Sequence, residues 1–158
     1  MSHYLIMQNQ TDTAWTTGPC LALSADQPLS EDMLQYTPKG GKGELAVTTA
    51  SNIAYEKNER EMDRKLLAHT PSHDFNLDLV FLEGKLQLRN YEKRTVDIVV
   101  ANPVPGKPTS AEDGGVISID PTKLQLLERS GNITWTIQLE PGQEKTLIYK
   151  YERYVPSK

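Results

Sequence analysis

The sequence predicts an all-β protein: an antiparallel β-sandwich, immunoglobulin-like or related, in a single domain spanning residues 1–158. Three observations carry this. Apolar residues recur at every second position in segment after segment, the period of a half-buried strand. Glycines and prolines, 10 of each, punctuate those segments at short spacing. No stretch carries an apolar stripe wide enough to dock a helix. The resulting nine or ten strands without a helix favour a sandwich over βαβ units.

Taken in order, residues 4–10 (YLIMQNQ) read as a first strand, and TDTAWTTGP turns the chain into a second, CLALS. ADQPLSEDM reads as a loop, because Pro28 cannot donate to a ladder. LQYTPKGGKG, with Pro38, Gly40, Gly41 and Gly43, is a loop or broad turn. Leu45, Val47, Ile53 and Tyr55 then mark one long strand, bent near Thr49 and Ser51. Residues 56–67 (EKNEREMDRKLL) have helical composition but no docking stripe. They read as an exposed, charged continuation of that strand, with a surface helix as the alternative.

Phe75, Leu77, Leu79 and Phe81 share one face, Glu83-Gly84 reads as a tight turn, and Leu86 and Leu88 follow. After the NYEKRT turn, Val96, Ile98 and Val100 alternate, with Val99 on the other face. These form a three-stranded meander. ANPVPGKPTSAEDGG, with Pro103, Pro105 and Pro108, reads as the most mobile loop. VISID and KLQLLE are short strands. Ile133, Trp135, Ile137 and Leu139 face the core, Glu140-Pro141-Gly142-Gln143 is a type II turn, and Leu147, Tyr149 and Tyr151 complete a closing hairpin. No internal repeat is visible.

Composition bounds function. A chain of 158 residues suffices for one good core, whereas two cores would be small. Its net charge of −4 provides no basic footprint for nucleic acid or an anionic membrane. No apolar run approaches the roughly 20 residues that span a bilayer. Cys20, the one cysteine, has no partner for an internal disulfide and reads as a small buried hydrophobe, which leaves the compartment open. No basic segment followed by a long apolar one precedes the first strand, so no signal peptide is visible. A chain that opens and closes on a strand reads as a compact small protein or as a domain excised from a larger one, and excision is the favoured reading.

The chemistry offers little. His69 and His73 stand four apart, but Pro71 between them breaks the helix that would align them, and no third ligand completes a zinc set with remote His3. KGGKG lacks P-loop spacing. Asn132-Ile133-Thr134 fits a glycosylation sequon by a short match. Two carboxylates adjacent only in space, as in a glycosidase, stay open. Trp135 reads as core, and Trp15 as a plug at one end of the sandwich.

The closing GNITWTIQLEPGQEKTLIYKYERYV resembles the end of the C-terminal domain of bacterial mucoidy-inhibitor-A-like proteins, a domain of unknown function. Gly131, Trp135, Leu139, Pro141, Gly142, Leu147 and Tyr151 carry the likeness. NQTDTAWTTGPCLAL, YTPKGG, LRNYEKRTVDIVV and VPGK are similar to divergent members, and ANPVPGKPTSAEDGG departs from the usual pattern. The resemblance implies that an N-terminal domain and often a coiled coil precede this part, in an envelope-associated, extracytoplasmic setting. It supplies no catalytic residues.

The expectation is therefore a non-catalytic structural or protein-interaction module with no cofactor and no metal. Its partners are another protein or the other domains of the larger chain. The alternative is a carbohydrate-binding module stacking sugars on Trp15, Tyr36 and Tyr91. A hydrolase built on scattered acids comes third.

Overall fold

The computed structural model describes residues 2–24, 27–49, 52–72, 75–123 and 125–157. Among them every regular element is a strand and every pairing is antiparallel. No sheet closes on itself. The chain forms two compact units, Met1–Ser51 and Asn52–Lys158.

In the first unit β1 (Ser2–Gln8) pairs with β4 (Lys42–Thr49), and β2 (Gly18–Ser24) with β3 (Gln27–Leu34). Ser30 Oγ of β3 donates to the Ala46 carbonyl of β4 at 3.1 Å. Among the described residues Ala22, Leu45 and Val47 are its buried apolar side chains. The segment around Pro28 is thus a strand and not the expected loop. Pro28 lies on an edge strand opposite a register shift between Ala22 and Leu23, a place where a missing N–H costs no ladder bond. Cys20 is half-buried and unpaired, not the buried residue expected.

The second unit has two sheets. One holds β5 (Ile53–Ser72), β6 (Phe75–Asn90), β11 (Glu144–Pro156) and β8 (Lys107–Ala111), in the order β5-β6-β11-β8. The other holds β7 (Val96–Val104), β10 (Gly131–Leu139) and β9 (Val116–Ile119), in the order β7-β10-β9. Trp135 of the second sheet meets the Tyr149 ring of the first edge-on, with centroids 6.2 Å apart. Ile133, Leu139, Leu86, Leu88, Leu147 and Tyr151 are buried with them.

The charged stretch 56–67 is strand, as expected. Several other expectations give way. The long strand through Leu45 and Tyr55 is two strands, β4 and β5, and residues 50 and 51 lie outside the described set. Glu83-Gly84 makes no turn: β6 runs straight through it, with Gly84 opposite Tyr149 of β11. Near its start, Asp78 and Val80 are buried as well as Leu77, whereas Leu79 and Phe81 are partly exposed.

ANPVPGKPTSAEDGG is mostly strand, belonging to β7 and β8. Its prolines sit where strands tolerate them: Pro103 on edge strand β7, and Pro108 on edge strand β8 opposite a register shift. KLQLLE holds a turn, closed by bonds from the Glu128 and Arg129 amides to the Gln125 carbonyl at 3.0 Å; residue 124 lies outside the described set. The closing pair is no hairpin, because β10 and β11 belong to different sheets. The turn between them is as expected: Gly142 has φ +76°, and the Gln143 amide donates to the Glu140 carbonyl at 3.0 Å.

The two units repeat one motif, which the sequence conceals. Adding 81 to β1 and β2 positions and 102 to β3 and β4 positions reproduces the pairings of β6, β7, β10 and β11. Leu5↔Leu45 corresponds to Leu86↔Leu147, and Gln8↔Lys42 to Arg89↔Glu144. Pro19↔Met33 corresponds to Val100↔Trp135, and Trp15↔Thr37 to Val96↔Leu139.

A buried asparagine latches each copy. Asn9 Nδ2 donates to the Thr13 and Thr37 carbonyls, and Asn90 Nδ2 to the Arg94, Leu139 and Glu140 carbonyls. Each Oδ1 accepts the amide two residues on, from Thr11 or Glu92. Each backbone carbonyl accepts from a positive-φ glycine, Gly40 or Gly142. Only three aligned pairs in these segments combine identity with an evident role: Leu5 with Leu86, Asn9 with Asn90, and Leu45 with Leu147 keep their residue, beside the turn glycines.

Candidate functional site

The densest polar chemistry lies where β5 meets the core of the second unit. Glu59, Gly84 and Tyr149 stand in one row across β5, β6 and β11. A Cβ on Gly84 would lie 2.0 Å from Tyr149 Cζ, so glycine is what lets that ring cross β6 and reach β5. The Tyr149 hydroxyl donates to Glu59 Oε1, and the Tyr151 hydroxyl to Glu59 Oε2 at 3.0 Å. Lys57 Nζ lies 3.1 Å from Glu59 Oε1 and donates to Asn102 Oδ1 of β7 at 3.0 Å.

Electrostatics fix the protons of this cluster. Burial pushes the Glu59 carboxyl upward, but the Tyr149 and Lys57 hydrogen bonds, the Lys57 charge and the Tyr151 bond outweigh it and hold it below its usual range. Burial first and the Glu59 charge second push Tyr151 up to about 12. Tyr149 is pushed up in the same way, first by burial and then by its bond to Glu59. Asn102 opposes that rise, although its buried Nδ2 makes no hydrogen bond among the described residues. At neutral pH the cluster is thus a carboxylate anion held by two protonated phenols and an ammonium.

The other face of the same sheet is similarly paired. Arg60 Nη2 sits 2.7 Å from Glu83 Oε1, with Lys150 Nζ 3.7 Å from Oε2. Arg60 and Glu83 line an open depression of about 210 Å³ with Asn58, Glu59 and Lys85. Farther along the sheet, Asp78 of β6 accepts from Arg64 of β5 at 3.2 Å, from the Leu67 amide of β5 at 3.1 Å and from the Ser157 hydroxyl. That amide belongs to a bulge residue with φ +51°. A larger open groove of about 680 Å³ lies at the ends of β7, β9 and β10, between Pro103, Pro105, Pro121 and Ile119, with Asp120 and Lys123 at hand.

The sequence-derived contact residues fall in both units. Trp15, half-buried, bridges Thr37 through paired 2.9 Å backbone bonds, which places it beside exposed Tyr36 in the first unit. Tyr91 belongs to the second unit, is exposed, and has the Arg89 guanidinium 4.9 Å from its ring centroid. His69 lies on strand β5, edge-on to Tyr154, and His73 lies outside the described residues. Among the described residues no three His, Cys, Asp or Glu side chains group as metal ligands. Among them no helix is long and apolar enough to cross a membrane. Sequence reasoning missed Glu59, Tyr149 and Tyr151 as a set, because the hydrogen bonds join residues 90 and 92 positions apart.

The first unit offers apolar surface instead. Leu21, Leu23, Leu29 and Met33 on β2 and β3 are each about half exposed, and so are Tyr4 and Ile6 on β1. Pro19, Leu21, Leu23 and Met33 correspond to Val100, Asn102, Val104 and Trp135, all buried in the second unit. Comparison with protein-family models, with curated proteins and with solved structures yields no match.

Proposed function

We propose that this chain is a non-catalytic structural or protein-interaction module of a larger bacterial protein, of the mucoidy-inhibitor-A-like kind. The second unit is a β-sandwich of immunoglobulin-like or related type that supports the docking surface. The single observation that carries the reading is the exposed apolar set of the first unit at positions that its repeat buries. Exposed apolar side chains sharing one strand face, here with Glu31 opposite Leu21 among them, mark a candidate binding face. The cluster at Glu59 supports a structural role, since its carboxylate is lowered and the Tyr149 and Tyr151 phenols that donate to it are raised. The partner is another protein or another domain of the same chain, and the acidic surface gives no reason to invoke nucleic acid.

Sugar stacking is less well supported. Trp15 is partly covered, Arg89 sits against Tyr91, and Tyr91 belongs to a different unit from Trp15 and Tyr36. The test is partner capture by the intact protein against its Leu21→Glu/Met33→Glu variant, with folding checked by circular dichroism. Loss of specific partners is expected. An unchanged partner set would remove the interaction reading.

A further inference from the structure

The two copies of the motif differ at one edge. In the second unit β6 is flanked by β11 on one side and β5 on the other. In the first unit β4 takes the place of β11 along β1, but no described strand takes the place of β5. The bare edge is also undefended. Edge strands are ordinarily blunted with charge, proline or bulges, and β5 uses all three, with charges along its length, Pro71 and three register shifts. The sequence of β1, SHYLIMQ, has no Asp, Glu, Lys, Arg or Pro. Its one register shift falls between His3 and Tyr4, and the pairing from Tyr4 to Gln8 is regular.

We propose that the free edge of β1 accepts an extended strand from a protein partner, antiparallel to β1, in the place that β5 fills beside β6. This deepens the interaction reading above and rests on it for its biological sense. The repeat sets the register. Beside β6, Ile53, Tyr55 and Lys57 stand opposite Asn90, Leu88 and Leu86. The corresponding positions of the first unit are Met7 and Leu5 on β1 and Asn9 just beyond it. The partner strand therefore presents alternate apolar or long amphipathic side chains to those three, while main-chain hydrogen bonds supply affinity. An acid in the place of Glu59 is not required, because Val47 stands where Tyr149 does and offers no hydroxyl.

Residue-resolved amide exchange by NMR on the full chain tests this, with a synthetic peptide of residues 53–61 at millimolar concentration as the probe strand. Without peptide, β1 amides not bonded to β4 should exchange about tenfold faster than those that are. With peptide, that fast set should slow by about tenfold, and a peptide carrying proline at alternate positions should have no effect. Two outcomes overturn the proposal: a fast set unchanged by saturating peptide, or an edge already protected in the monomer. A concentration-dependent dimer that protects the same amides assigns the edge to a second copy and also overturns it. If the peptide protects β1 while the partner set ignores the Leu21→Glu/Met33→Glu change, the edge assignment stands and the interaction reading falls.

Discussion

Met33 and Trp135 hold the same register position in two copies of one motif, yet Met33 is 48% exposed and Trp135 is 1% exposed. The ladders, the asparagine latch and the positive-φ glycine are alike in both. What differs is the company. The second unit adds β5, β8 and β9 and brings two sheets together over Trp135 and Tyr149. Among the described residues the first has four strands and three buried apolar side chains. Local hydrogen bonds can therefore specify a motif without giving it a core, and burial comes from the strands added around it.

The sharpest way to break that comparison is to truncate both equivalent residues. Trp135→Ala should cost about 3–5 kcal/mol in denaturant unfolding, a large share of the roughly 5–15 kcal/mol typical of a domain. Removing the latch should rank next. Asn90→Ala leaves the Leu139 carbonyl without its side-chain donor and the Glu92 amide without its acceptor, a loss of about 1–3 kcal/mol in the same assay. Gly84→Ala should lose a similar or smaller amount, about 1–3 kcal/mol, because the Tyr149 ring must leave Glu59 to admit the methyl. A clear rise in the fluorescence-detected pH sensitivity of Tyr149 would accompany that displacement. An unchanged spectrum and stability would show that the glycine is not needed for the crossing.

Acid should act on the second unit through its held carboxylates. Asp78 is lowered by its bonds from Ser157, Leu67 and Arg64, Glu83 by Arg60, and Glu59 by its partners despite burial. With folded values below unfolded ones, the unfolded chain takes up protons first as pH falls. Their contribution is thus full above the ordinary values of 3.8 and 4.5 and declines as pH drops through the folded ones. Urea midpoints measured from pH 7 to pH 3 should fall only at the acid end, and less so in Glu59→Gln. The raised tyrosines act oppositely, and stability should decline above pH 10, the ordinary value, toward about 12 for Tyr151.

The smallest effects complete the comparison. Met33→Ala and Thr136→Ala should each change stability by about 0.5 kcal/mol or less, since both side chains are exposed. A Met33→Ala loss approaching that of Trp135→Ala would mean that the first unit covers this position in solution, and the contrast between the copies would collapse.

Sequence alone determined what depends on neighbours in the chain. Alternation put Ile133, Trp135, Ile137, Leu147 and Tyr149 inward, and Pro141-Gly142 specified its turn, because side-chain direction and φ preference are local steric matters. The exposed strand at 56–67 followed from the lack of an apolar stripe. Tertiary structure alone decided pairing. It sent β10 and β11 into different sheets, made strands of the proline-rich 101–111 stretch, and ran β6 through Gly84 beneath Tyr149. It also gathered Glu59 with hydroxyls 90 and 92 residues away, and it set two dissimilar sequences in one register. A ladder is made of backbone groups that nearly every residue carries, so the sequence marks where strands can lie and leaves the choice of neighbour to the packing of the whole.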